Sequence, residues 1–151
     1  MITIEDFKKK QTSKTRLIGL DLGSKRIGVS ICDERQSIAT PFKTINKTNT
    51  NELIDELKII IKDNNIGGII VGNPVNMDGS LGRSAQSVND VASNISKSID
   101  LPVILWDERL STVGAFNLSS LLDVNVSKRV KTIDQNAAAF ILQGAIDFLN
   151  N

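Results

Sequence analysis

Runs of apolar residues, some alternating with polar positions and some continuous, mark five strand-like segments along the chain. The first three span residues 16–22, 26–32 and 38–45, separated by the turns Gly23-Ser24-Lys25 and Asp33-Glu34-Arg35-Gln36. Neither turn is long enough for a crossover helix, so an antiparallel meander is expected. A helix capped by Asn49 or Thr50 follows and runs to Lys62, with Leu53, Leu57, Ile60 and Ile61 on one face. Residues 66–71 are apolar without alternation, the pattern of a central strand covered on both sides. An irregular stretch from Gly72 to Arg83 leads to a second amphipathic helix carrying Ala85, Val88, Ala92, Ile95 and Ile99. Residues 102–106 form the fifth strand-like run. A helix capped by Ser111 or Thr112 and bearing Phe116, Leu118, Leu121 and Leu122 comes next. Residues 123–131 read as a polar, basic loop. Thr132-Ile133-Asp134-Gln135 then reads as a capping box opening a last helix, whose apolar body covers 137–149.

The order β-β-β-α-β-α-β-α-α predicts an α/β fold, a five-stranded mixed sheet with helices packed on both faces. Of the 151 residues, 40% are hydrophobic, enough for one core and not for two. Residues 15–151 are therefore expected to form one domain, and the Lys-rich residues 1–14 a weakly ordered basic arm. No apolar run approaches the roughly 18 residues of a membrane span, and no signal-peptide core is evident at the N-terminus. A cytoplasmic protein without membrane contact is the expectation.

Composition narrows the chemistry by what is missing. There is no His and no Tyr, which excludes imidazole bases, His-bearing zinc sites and phenol nucleophiles. The single Cys32 lies in a strand pattern, where a buried inert thiol is expected. Net charge is only +1, but Lys8, Lys9, Lys10, Lys14 and Arg16 form one basic cluster and Lys128, Arg129 and Lys131 another. Each alone is explained by a solvated surface. Carboxylates, Lys, hydroxyls, backbone groups or a metal remain as the source of any catalysis.

Three acids stand out by position. Asp21 interrupts the apolar run Leu17-Ile18-Gly19-Leu20-Asp21-Leu22, on the face shared with Leu17 and Gly19. A lone buried carboxylate is normally paired, metal-bound or protonated, although an Asp capping the turn at Gly23 explains the residue equally well. Glu108 ends the fifth run beside Asp107, and strand alternation allows only one of the two on Asp21's face. A surface ion pair accounts for Glu108 taken alone. Asp134, as a first-turn acid, is accounted for by the helix dipole. Together, an acid inside a first strand, one ending a later strand and one opening a C-terminal helix can meet at one edge of a mixed sheet. Their mutual repulsion would call for a divalent cation.

The segment Gly19-Leu20-Asp21-Leu22-Gly23-Ser24-Lys25-Arg26-Ile27-Gly28-Val29 resembles the opening motif of the YqgF (RuvX) family. That family consists of ribonuclease-H-like proteins described as Holliday-junction resolvases and as pre-16S rRNA nucleases. Val71-Gly72-Asn73-Pro74-Val75-Asn76-Met77-Asp78-Gly79-Ser80 is similar to its Gly-rich loop, and Trp106-Asp107-Glu108-Arg109-Leu110-Ser111-Thr112 to its second acidic motif. Ser127-Lys128-Arg129-Val130-Lys131-Thr132-Ile133-Asp134-Gln135 resembles its last motif. The motifs occur in the family's order from residue 16 to 149.

The resemblance implies that Asp21, Glu108 and Asp134 are the catalytic, metal-binding acids, and it favours Glu108 over Asp107. It implies hydrolysis of phosphodiester bonds with Mg²⁺, with Mn²⁺ as a substitute. The substrate class it implies is nucleic acid, either structured RNA such as pre-16S rRNA in ribosomal precursor particles or, as the alternative, branched DNA. Candidate substrate contacts are Lys25, Arg26, Asn73, Gly79, Arg83, Arg109, Lys128, Arg129 and Lys131. With aromatics at 4%, backbone and shape recognition is expected over base stacking. A monomer or weak homodimer is expected. Two rivals remain: a non-catalytic nucleic-acid-binding module, and an actin-like phosphate-binding turn at Asp21-Leu22-Gly23-Ser24. A single domain of this length does not enclose a nucleotide as the two-domain ATPases do.

Overall fold

The computed structural model describes residues 1–11, 15–23, 25–46, 49–74, 83–107 and 126–150, at 83–85 and 126–135 for the backbone alone. Five strands form one sheet: β1 (Arg16–Leu22), β2 (Arg26–Cys32), β3 (Ala39–Asn46), β4 (Ile66–Asn73) and β5 (Val103–Asp107). The described helices are α1 (Ile4–Lys10), α2 (Thr50–Asn64), α3 (Arg83–Ser98) and α4 (Val126–Leu149). Strand order is β3-β2-β1-β4-β5. The first three strands pair antiparallel, while β1–β4 and β4–β5 are parallel. The mixed sheet and the meander are as expected from the sequence. β4 and β5 each continue past the expected ends, to Asn73 and Asp107, so Gly72 and Asn73 belong to the sheet and not to the irregular stretch.

Strand alternation sorts the core into two layers. On one face Ile18, Leu20, Ile27, Val29, Ile69, Val71 and Val103 pack against α2 and α3. On the other, Leu17, Ile70, Ile104 and Trp106 pack against Ile141, Leu142, Ala145 and Ile146 of α4. Helices thus cover both faces. Asn49 caps α2 by accepting from the Glu52 amide at 2.9 Å, as its position before the helix predicts. The helix expected after Ser111 or Thr112 lies outside the described residues.

Two expectations are corrected. The basic lead-in is not a loose arm over its first ten residues. Thr3 caps α1, accepting from the Asp6 amide, and Phe7 is fully buried among Leu17, Ile70 and Ile104. Gly68 provides its seat, since a Cβ there would fall 2.5 Å from Phe7 Cζ. Lys8, Lys9 and Lys10 fill the last turn of α1, while Phe7, with Ile4 and Ile2 packed beside it, anchors the segment, which is why composition alone suggests an arm. The second correction concerns α4. It begins at Val126, so Lys128, Arg129 and Lys131 lie on a helix and not in a loop. Thr132-Ile133-Asp134-Gln135 is then internal and is no capping box, and Asp134 is not a first-turn acid. No Gly or Pro interrupts 126–143, so nothing in the chain stops the helix at Thr132.

Far from α4's N-terminal end, the turn between β2 and β3 is held by Asp33. Its carboxylate accepts from the Ser37 and Ile38 amides at 2.8 and 2.9 Å and from the Ser37 hydroxyl at 2.9 Å. The Ile38 and Ser37 amides favour the charged form and bring its pKa to about 2. Because the folded value lies below the unfolded one, this contribution to stability is complete above the ordinary Asp range and is lost as pH falls toward 2. A carbon-detected NMR titration should place the Asp33 midpoint near 2. Replacing Phe7 by Ala should cost about 3 kcal/mol in urea unfolding, and a loss under about 1 kcal/mol would mean that α1 is not part of the core.

Candidate active site at the carboxyl edge of the sheet

β1, β4 and β5 run parallel, so their carboxyl ends share one edge, the edge at which open α/β sheets place ligands. Leu20 pairs with Val71 and Gly72 with Trp106, which puts Asp21, Gly72 and Trp106 in step across three strands. Leu17 packs on the α4 side and Ile18 and Leu20 on the other. Alternation therefore assigns Asp21 to the α4 face, where it is half-buried. Its partner on β2 is Gly28. Asp21 thus stands in register between two glycine positions.

The turn after Asp21 is tight. The Gly23 amide donates to the Asp21 carbonyl at 3.1 Å and to the Arg26 carbonyl at 3.0 Å. A Cβ on Gly23 would lie 2.5 Å from the Arg26 carbonyl oxygen, so the turn requires glycine there. It presents Lys25, exposed, and Arg26, half-buried, at the same edge as Asp21.

α4 makes its closest approach to the sheet at Gly19. A Cβ built on Gly19 would meet Ser30 Oγ at 2.6 Å, Leu142 Cβ at 2.7 Å and the Ala138 carbonyl oxygen at 2.9 Å. Ser30 is fully buried, and its hydroxyl donates to that Ala138 oxygen at 2.7 Å. Further along α4, Gln143 accepts from the Ala39 amide and Asn150 donates to the Gln36 carbonyl, both at the edge where β1 begins. α4 therefore runs antiparallel to β1, and its residues before Ala138 lead toward the edge of Asp21. Sequence reasoning missed Gly19 and Ser30. Their signal was present as a glycine and a hydroxyl interrupting adjacent apolar strands.

Asn73 and Asp107 are cross-strand partners, and alternation with Val71 and Leu105 puts both on the α2–α3 face. Asp107 is thus on the opposite side of the sheet from Asp21. Asn73 shares the carboxyl edge with Asp21 but not its face. Asn73 Oδ1 is buried, with no hydrogen-bond partner among the described residues. Glu108, Gly79 and Arg109 lie outside the described residues. Arg83 is the first residue of α3, while Asp134, Lys128, Arg129 and Lys131 are on α4 with only their backbone described. Among the described residues no three Asp, Glu or Cys side chains gather as a metal cluster. Nor is any described helix long and apolar enough to cross a membrane. Cys32 is buried, accepting from the Leu17 amide at 3.1 Å, and burial pushes its thiol pKa up. It is the inert core residue expected of it.

A five-stranded sheet of this order, flanked by helices and carrying an acid in its first strand, defines the ribonuclease-H-like class. Solved structures share that fold. RuvC of Thermus thermophilus, bound to a Holliday junction substrate, superposes with a TM-score of 0.54 at 11% identity, covering 87% of this chain and 93% of its own. The yeast mitochondrial Holliday junction resolvase Ydc2 gives 0.53 at 12% identity, with 97% and 84% coverage. Residues 15–148 match the RuvX family model, described as Holliday junction resolvase, and the chain belongs to that family. It is accordingly a phosphodiester-cleaving nuclease by class, one of a divalent-metal-dependent group that acts on nucleic acid. A "Putative pre-16S rRNA nuclease" of Pelagibacter ubique is 97% identical over 151 residues, the full length of both chains. A protein of the same name from a Chelativorans species is 44% identical over 99% of this chain and 93% of its own.

The tight turn yields a direct check. Gly23→Ala should lower the unfolding free energy by about 1–3 kcal/mol, measured by urea denaturation, because the added methyl meets a carbonyl rather than a movable side chain.

Proposed function

We propose that Asp21, Glu108 and Asp134 form the metal-binding catalytic set of this nuclease. The observation that carries the proposal is the register of α4 on β1. Asp134 precedes Ala138 by one helical turn, on the same side of the helix, and so about 6 Å along its axis. Asp21 follows Gly19 by two strand residues, about 7 Å in the same direction. Ala138 rests on Gly19, and this register supports reading the two positions as level with each other. Alternation along β5 supports the choice of third member: Trp106 faces α4 and Asp107 faces away, which takes Asp107 off the face of Asp21 and favours Glu108.

Asp21, Glu108 and Asp134 together would offer an all-oxygen donor set, which fits a hard cation, and Mg²⁺ with Mn²⁺ as substitute is the reading we favour. Such an ion supplies charge stabilisation and an acidified water for phosphodiester hydrolysis. The chain's own residues position it and the substrate. Lys25 and Arg26 on the tight turn, with Lys128, Arg129 and Lys131 in the two turns of α4 before Asp134, are assigned to phosphate contacts. Asn73, Gly79, Arg83 and Arg109 are assigned to the substrate backbone around the same edge. The name carried by the 97% identical relative favours pre-16S rRNA in precursor particles, and with it a cytoplasmic protein. The family's description favours a second reading, branched DNA. We assign a monomer or weak homodimer to the first reading; paired cuts in a symmetric junction would require two sites.

Cleavage of precursor rRNA and of a four-way junction, each with and without Mg²⁺, separates these substrates. Cuts in the rRNA alone support the first reading, and symmetric junction cuts with the rRNA intact support the second. On the better substrate, Asp21→Asn and Glu108→Gln should each lose at least about a hundredfold in rate. Asp107→Asn, on the opposite face, should stay within about threefold of wild type. Equal loss for Asp107 and Glu108 variants would remove the face argument.

A further inference from the structure

Ser30 has a task that neither the fold nor the acids account for. It is the buried polar residue of a strand otherwise lined with apolar side chains, and it lies two strand positions from Gly28, the partner of Asp21. Its hydroxyl reaches across the layer to a main-chain carbonyl of α4, that of Ala138, at 2.7 Å. The Gly19 carbonyl is a second, more distant acceptor at 3.3 Å. With one proton to give, Ser30 donates chiefly to α4. A helix carbonyl in mid-helix already has its own backbone donor, so α4 does not need this bond in order to be helical. What the bond adds is a fixed point between α4 and the sheet. Gly19 adds the second constraint, because the absence of a Cβ lets Leu142 and the Ala138 carbonyl approach to within contact of the strand.

We propose that Ser30 and Gly19 are positioning residues for the metal site, locking α4 onto β1 in the one register that sets the spacing of Asp21 and Asp134. The proposal rests on the assignment of those two acids given above. Apolar packing between α4 and the sheet, supplied by Ile141, Leu142, Ala145 and Ile146, tolerates sliding and small rotations. A hydrogen bond from a buried strand hydroxyl does not, because its geometry degrades within a few tenths of an ångström. The clamp is one turn from Asp134 and two residues from Asp21, so an error in α4's position there passes to the carboxylates with little attenuation. Groups that orient metal ligands from behind commonly alter affinity by about 10–100-fold when removed.

The test reads metal binding and not turnover. Free Mn²⁺ is followed by electron paramagnetic resonance as the full-length protein is titrated, for wild type, Ser30→Ala, Gly19→Ala, Asp21→Asn and Ile45→Val. Ile45 is a buried β3 residue on the α2–α3 face, and its truncation serves as a stability control away from the clamp. Ser30→Ala is expected to raise the Mn²⁺ dissociation constant about tenfold while keeping the thermal transition cooperative. Gly19→Ala should do likewise by displacing α4 from the other side, and it decides the matter should Ser30→Ala not fold. Ile45→Val should leave Mn²⁺ affinity unchanged whatever its effect on melting temperature. Unchanged affinity in Ser30→Ala and Gly19→Ala, with binding lost in Asp21→Asn, would overturn the clamp and leave the metal site standing. An equal loss in Ile45→Val would also overturn it, by making the effect one of stability. Unchanged affinity in Asp21→Asn would instead overturn the metal site itself, and the clamp with it.

Discussion

The contact of α4 with β1 at Gly19 is the constraint on which the rest of the arrangement depends. A helix normally stands off a sheet by the thickness of two side chains. Here one is missing, and the Ala138 carbonyl and Leu142 Cβ sit where a Cβ would otherwise be. The close approach puts α4's main chain within reach of a short hydroxyl on β2. It also aligns the helix antiparallel to β1, with its C-terminal end tied to the β2–β3 edge through Gln143 and Asn150. The N-terminal half of α4 consequently leads to the carboxyl edge of the parallel strands, carrying Asp134 and three basic residues with it.

That edge is divided by the sheet into two environments of different chemistry. On the α4 side Asp21 stands among glycines, Gly28 on one neighbour and Gly72 in step on the other. On the α2–α3 side Asn73 and Asp107 face each other across β4 and β5. A carboxylate needs water, a counter-charge or hydrogen-bond donors to stay ionised when half-buried. Glycines supply bulkless space beside Asp21, the space in which the proposed site would hold its cation. The separation of Asp107 from this side follows from nothing more than the two-residue period of β5.

Much of this was legible in the chain before any coordinates. The meander, the parallel strands and the helix faces follow from periodicity, because each element buries one face and its side chains report which. Asp21 was legible because a charge in an apolar strand demands a reason. Choosing between Asp107 and Glu108 was not possible from the pattern alone, since the choice turns on the phase of alternation, which only packing fixes: Trp106 and Ile104 lie against α4. The start of α4 differs from the expectation because Thr132 to Gln135 satisfies the local rule for a cap, while no Gly or Pro in residues 126–131 prevents the helix from beginning earlier, at Val126. The N-terminal arm was misjudged for a related reason. Phe7 is its one fully buried residue, with Ile2 and Ile4 packed beside it, and so short an apolar pattern among lysines is easily read as an arm. Ser30 and Gly19 had no visible purpose in the sequence, for their purpose is a contact with residues more than a hundred positions away.

With Asp21, Glu108 and Asp134 as its ligands, the metal would lie between β1 and α4 on the Asp21 side of the carboxyl edge. Anomalous diffraction from crystals soaked in Mn²⁺ tests this most directly, since it locates the ion without reference to activity. The expected result is a peak bound by the Asp21 carboxylate and by oxygens of Glu108 and Asp134. A peak bound instead by Asn73 and Asp107 on the opposite face, or none at this edge in crystals whose lattice leaves it open, would contradict it.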